Sequence, residues 1–259
     1  MTEAKPDHPR VGVVNCVSEA YEMLRFSSDQ IIENAGTDNF DYIVVCWNVT
    51  DEVNSYVDSL EDKFKETHPR LKVIKVVHET DESIGFVPNL RKMMNEGFSK
   101  AFELNDYGGL TNTDQAFHKN WLLNLVKHIA PDRMITSTLI EVCPQTRHYK
   151  GDFGLTEYGK FNQEAFTNYA NTIEKPDTLI SEEQRHGLFN SPGYMNIESL
   201  PYLFPKAMWE SSGPWELTLE NGTPDVNFFD RGHLAGFKYF MSADSIAYHI
   251  GAVERTSKQ

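Results

Sequence analysis

Between Val11 and Leu104, short β-branched runs alternate with longer stretches whose apolar residues recur at helical spacing, and this alternation leaves few architectures open. Val11–Val14 (VGVV), Tyr42–Trp47 (YIVVCW) and Leu71–Val77 (LKVIKVV) read as buried strands. Tyr21–Asn34 and Val53–Glu66 read as helices, the second carrying the stripe Val53, Tyr56, Val57, Leu60 and Phe64. Pro88–Leu104 reads as a third helix, with Leu90, Met93, Met94, Gly97, Phe98 and Ala101 along one side. A β-α-β-α-β-α series implies a mainly parallel sheet with crossover helices. Ligands of such sheets bind beyond the carboxyl ends of the strands.

The pattern then changes. Gly108–Asp114 (GGLTNTD) is rich in turn residues, Trp121–Ile129 reads as a helix stopped by Pro131, and Met134–Val142 is β-branched. Gly151–Asn171 reads as a loop leading into a helix. Phe228–Met241 has helical spacing, and a short strand is expected near Ile246–Ile250. No internal repeat or low-complexity linker divides the 259 residues, so the expectation is one domain with a nucleotide-binding half (1–114) and a catalytic half (115–259).

The net charge of −14 repels polyphosphate backbones, so no stable nucleic-acid or anionic-membrane binding is expected. The three cysteines, Cys16, Cys46 and Cys143, lack metal-type spacing and point to a reducing compartment. Met1–Arg10 is polar, and no run approaches the roughly 18–20 apolar residues of a transmembrane helix. Together these features give a cytoplasmic expectation. The phosphate-loop, paired-cysteine zinc and GxSxG signatures are absent.

Three features carry candidate chemistry. Asn112-Thr113-Asp114 is a short acidic motif where a strand should end, a place suited to a divalent cation, although Asn and Asp equally favour a plain turn. Asp225, in Pro224–Arg231 (PDVNFFDR), stands at a helix start, as a proton acceptor or simply an N-cap. His249, in Tyr248-His249-Ile250, is either a metal ligand or a hydrogen-bonded histidine of the core or its rim.

The order of these segments resembles the GT-A family 2 inverting glycosyltransferases, from about Val11 to His249. Val11–Asn15 (VGVVN) is similar to the family's first strand, beside the nucleotide base. Ile84–Ala101 (IGFVPNLRKMMNEGFSKA) is similar to its helix with Gly, Asn, Asn, Gly and Ala, and Asn112-Thr113-Asp114 stands where the family has Asp-x-Asp. Phe204–Glu216 (FPKAMWESSGPWE) resembles the segment before the acceptor site, and Pro224–Arg231 the helix that carries the base. The resemblance departs at Cys46–Asp51 (CWNVTD), where only Thr50-Asp51 of the family's acidic stretch remains, at Asn112 in place of Asp, and at Pro224 in place of Glu.

The resemblance implies an α/β GT-A fold with a mainly parallel sheet flanked by helices. It also implies a single inverting displacement from a UDP- or GDP-sugar to a hydroxyl of a glycan or other acceptor. By the same resemblance Asp225 is the general base, and Asp114 with His249 holds Mn²⁺ or Mg²⁺. Asn15, Asp51, Asn89 and Asn112 face the donor, while Arg231 and Trp215, with Trp209, serve the acceptor or a phosphate. For the two tryptophans ordinary core packing is the alternative, and for Arg231 a surface ion pair. Two other functions share these features: a sugar-phosphate nucleotidyltransferase, and a nucleotide-sugar-binding protein of the same fold without catalysis.

Overall fold

The β-branched runs become adjacent parallel strands, β1 (Val11–Ser18), β2 (Phe40–Trp47) and β3 (Lys72–His78), joined by helices α1 (Tyr21–Glu33) and α2 (Asp51–Phe64). Helix α3 (Phe86–Leu104) returns the chain to β4 (Tyr107–Thr111), which pairs in parallel with the other side of β1. There follow β5 (Gln115–Phe117), α4 (Trp121–Val126), β6 (Arg133–Glu141), β7 (His148–Tyr149), α5 (Gln163–Thr172) and β8 (Leu179–Ser181). The chain closes with β9 (Tyr202–Pro205), α6 (Lys206–Ser212), α7 (Pro224–Leu234) and β10 (Lys238–His249). This computed structural model describes residues 8–18, 21–141, 148–149, 153, 161–173, 179–181, 200–217 and 224–250.

The strands form one sheet in the order β3-β2-β1-β4-β9-β6-β10-β5, with β7 beside β6 and β8 beside β10. β9, β5 and β8 run against the others. Both faces are covered. Val13, Tyr42, Val44 and Cys46 pack against Leu24, Ile31, Val57 and Trp121 of α1, α2 and α4. Val14, Ile43 and Val45 pack on the other face against Met93 and Phe98 of α3 and Phe228 of α7. Successive residues of a strand point to opposite faces, so a strand buried on both is apolar throughout, as YIVVCW is.

The sheet curls. Three strands lie between β4 and β5 in the hydrogen-bonded order, yet only residues 112–114 join them in the chain. Four strand spacings in a flat sheet measure about 19 Å. The connecting chain reaches about 14 Å at most, so the sheet bends to bring the ends of β4 and β5 together.

Two expectations are corrected. The glycine-rich stretch read as a turn supplies a buried strand: β4 lies between β1 and β9, and only 112–114 is a turn. Its glycines answer crowding. A Cβ on Gly109 would lie 2.3 Å from the Tyr202 carbonyl oxygen, and one on Gly108 2.9 Å from the Phe102 ring. The helix expected over Phe228–Met241 is divided instead. α7 ends at Leu234, Gly236 takes φ +94°, and its amide and that of Phe237 bond the carbonyls of His233 and Gly232. The twelve-residue β10 follows, with an irregularity between Ser242 and Ile246. Strand β9, a short segment ending in Pro205, carries too brief a pattern to read in advance.

Among the described residues no helix is long and apolar enough to cross a membrane. Cys16 and Cys46 lie on neighbouring strands but pack toward opposite faces of the sheet. Burial pushes the Cys16 thiol up to about 12 and the Cys46 thiol up to about 11. In a Cys143→Ser variant neither should react with a disulfide reagent at pH 8 while folded, and both should react in guanidinium. Gly109→Ala should lower unfolding free energy by about 1–3 kcal/mol, read by urea denaturation, because the Tyr202 carbonyl cannot retreat without parting β4 from β9.

Candidate functional site

Strands β1, β4, β6 and β10 share one direction, so their carboxyl ends form one rim. At this rim Thr111 ends β4 and donates its hydroxyl to the Val14 carbonyl at 3.2 Å. The chain turns through Asn112-Thr113-Asp114 into β5. His249 ends β10, paired across to Gln115 of β5 on one side and Glu141 of β6 on the other. The curl therefore brings together two residues 135 positions apart: His249 Nε2 lies 3.1 Å from Asp114 Oδ2. The turn is also tied through its backbone, since the Ile250 amide donates to the Asp114 carbonyl at 2.8 Å.

The His249 and Asp114 side chains are 25% and 21% exposed. Asp114 Oδ1 is buried and has no hydrogen-bond partner. A buried acceptor left unsatisfied costs about 1–3 kcal/mol, more when charged, so this oxygen calls for a cation or a donor. One carboxylate and one imidazole suit a borderline or hard divalent ion that keeps further positions for water or phosphate oxygens. Among the described residues no cluster of three His, Cys, Asp or Glu side chains forms a closed metal cage.

The other expected site residues are placed as follows. Asp51 opens α2 at the carboxyl end of β2 and is exposed, with Thr50 as the N-cap accepting from the Val53 amide at 3.3 Å. Asn112 lies in the acidic turn, its amide donating to Gln115 Oε1 at 3.0 Å. Asn15 is fully buried: its amide nitrogen donates to the Tyr42 hydroxyl at 2.8 Å and to Ser27 Oγ at 3.4 Å. Asn89 is likewise buried. It accepts from the Asp81 amide at 2.9 Å, donates to the Asp81 and Gly85 carbonyls, and lies 3.2 Å from His78 Nε2. Asn89 thus knits the loop after β3 to the start of α3, while Asn15 ties β1 to α1 and β2 through its nitrogen and keeps a buried Oδ1 with no partner among the described residues.

Trp215 does not form an acceptor wall. It is 1% exposed and stacks on Phe228 at 4.0 Å between ring centroids, with Phe98 at 5.0 Å on a similar plane. Trp209 joins the same aromatic group, 5.6 Å from both Phe98 and Trp215. Arg231 does not stand free for a phosphate. Its Nη2 donates to the Pro214 carbonyl at 2.8 Å, and Nη1 lies 3.9 Å from Glu216. Asp225 falls in the first turn of α7, and its side chain lies outside the described residues. That turn is about 15 Å along the helix axis from the end that feeds the foot of β10.

Several organising residues carry no signal in local sequence. Asn95 of α3 grips the backbone of Trp215 twice, accepting from its amide and donating to its carbonyl, both at 2.9 Å. Arg91 donates to the Glu216 and Leu217 carbonyls at 3.1 and 2.7 Å. The turn 213–217 that leads toward α7 is thus pinned by α3, 120 residues earlier. His78, at the end of β3, bonds Glu96 through Nδ1 at 2.9 Å. Gln115 does carry a local signal, a polar residue in an otherwise apolar Gln-Ala-Phe strand, and it is 1% exposed.

No protein-family model and no curated protein matches the chain. Solved structures do resemble it. A mannosyltransferase from Pyrobaculum calidifontis, in complex with GDP-Man and Mn²⁺, superposes with a TM-score of 0.57 at 16% identity, over 96% of this chain and 59% of that one. GalNAc-T7 with UDP, GalNAc and Mn²⁺ gives 0.56 at 13% identity, over 95% of this chain and 44% of that one. TarS residues 1–349 of S. aureus gives 0.52 at 14% identity, over 92% and 59%. The chain thus spans about half the length of the structures it resembles, and it has the GT-A fold that they share.

Proposed function

We propose that this chain is a metal-dependent glycosyltransferase that moves a sugar from a nucleoside-diphosphate sugar to an acceptor hydroxyl with inversion. One observation carries the reading: on a GT-A fold, the turn after β4 offers a carboxylate with one unpartnered buried oxygen, 3.1 Å from a histidine at the end of β10. Two similar structures contain GDP-Man with Mn²⁺ and UDP with Mn²⁺, which supports the same donor class here. Asp114 and His249 would hold Mn²⁺ or Mg²⁺, which supplies positive charge for the departing diphosphate.

The chain's own groups divide the remaining work. Asp225, in the first turn of α7, takes the proton of the acceptor hydroxyl. Asp51 and the Asn112 turn border the donor, while Asn15 and Asn89 brace the segments around it. Residues 1–114 then form the donor half and 115–259 the half that receives the acceptor. The sparse cysteines and the raised thiols of Cys16 and Cys46 support a cytoplasmic setting.

A thermal-shift screen of UDP- and GDP-sugars with and without Mn²⁺ tests the donor and the metal together. The cognate donor at about a hundredfold over its Kd should add about 2.7 kcal/mol, several degrees in Tm, and only when Mn²⁺ is present. No shift with any nucleotide sugar would overturn the reading. Asp225→Asn should keep this shift yet lose transfer to acceptor by at least about a hundredfold. Unchanged turnover in that variant would falsify the base assignment.

A further inference from the structure

Gln115 sits where three separate stretches of chain meet at the rim. Its side chain is 1% exposed. Its Oε1 accepts from the Asn112 amide at 3.0 Å, which closes the acidic turn from inside. Its Nε2 donates to the Leu200 carbonyl at 2.8 Å, at the point where the chain enters β9. Its backbone pairs directly across from His249. Gln115 thereby joins the Asp114 turn, the His249 strand and the β9 approach at one point.

The chemistry demands an amide. One end of the side chain must accept and the other must donate, on a planar group held at fixed distance from the backbone. A carboxylate would face the Leu200 carbonyl with a second acceptor, and an apolar side chain would leave both the Asn112 amide and the Leu200 carbonyl without this partner. Asn112-Thr113-Asp114 is a short turn of turn-favouring residues, so the direction of the Asp114 carboxylate depends on what fixes its ends. The Ile250 amide fixes the exit, at the Asp114 carbonyl. Gln115 fixes the start, at the Asn112 amide.

We propose that Gln115 is the positioning residue of the metal-binding turn: it aims the Asp114 carboxylate beside His249 and locks that aim to the start of β9. The inference rests on the reading of Asp114 and His249 as a divalent-cation site. Residues that orient a metal ligand without touching the metal commonly change affinity about 10–100-fold when replaced.

The test is Mn²⁺ titration of the full chain by electron paramagnetic resonance, with no nucleotide present. The wild type should bind one Mn²⁺ and Asp114→Asn should not. Gln115→Met should bind about tenfold more weakly, and at saturating metal its bound-ion spectrum should differ from the wild type. Gln115→Asn keeps the amide but is one methylene too short to serve both Asn112 and Leu200. It should show the same weakening and carries the comparison if the methionine variant does not fold. A wild-type affinity and spectrum in a folded Gln115 variant would overturn the positioning role while leaving the metal site standing. Absence of Mn²⁺ binding in the wild type itself would overturn the cation reading, and this inference with it.

Discussion

The architecture is built on how closely α3 lies against β1 and β2. A Cβ on Gly97 would stand 2.5 Å from Val14 Cγ1 and 2.9 Å from Val45 Cγ2, and one on Gly12 would stand 2.8 Å from the Ala101 Cβ. Neither glycine has a positive φ, so what they supply is distance and not backbone freedom. From this seated helix, polar side chains hold the neighbouring segments. Asn89 knits the loop that follows β3, and Asn95 and Arg91 hold the turn 213–217 on the other side. A bulkier seam would push the helix off the sheet and open the packing between them.

The two halves of the chain are cemented by aromatic burial more than by charge. Phe98 of α3, Trp215 of the turn 213–217 and Phe228 of α7 stack in sequence, with Phe204 of β9 tilted against them and Trp209 and Phe102 at the edge. Each such side chain removes a large apolar area from water, and at about 25 cal/mol per Å² the group outweighs any surface ion pair nearby. While Trp121 packs on the opposite face of the sheet against Phe117, Trp209 and Trp215 are therefore spent on joining α3 to α7. Arg231 does related work at their margin, where it holds the Pro214 carbonyl.

Electrostatics then gives the proposed reading its internal consistency. A chain of net charge −14 that receives a diphosphate needs positive charge between the ligand and itself. Arg231 and Arg91 are engaged with the backbone carbonyls of Pro214 and Leu217. The carboxylate with an unpartnered oxygen, set beside an imidazole, is the feature of the rim that invites a cation.

The alternation of strands and helices from Val11 to Leu104 was legible because it is written in local periods, and each strand or helix there lies within a few residues of its expected bounds. The Asn112–Asp114 turn and the late histidine were legible as candidates for the same reason, as short polar motifs at the ends of apolar runs. Local pattern could not show that Gly108 and Gly109 lie inside a strand, because the crowding that requires them comes from Phe102 and Tyr202. Nor could it show that Asn15, Asn89 and Trp215 face inward, since the face a residue presents depends on which distant element covers it. By itself the sequence determined the order of elements and the parallel character of the sheet, through hydrophobic periodicity that each segment carries alone. Only the tertiary structure decided that Asp114 meets His249 and that Gln115 joins them, because that meeting requires the sheet to curl across strands contributed by both ends of the chain.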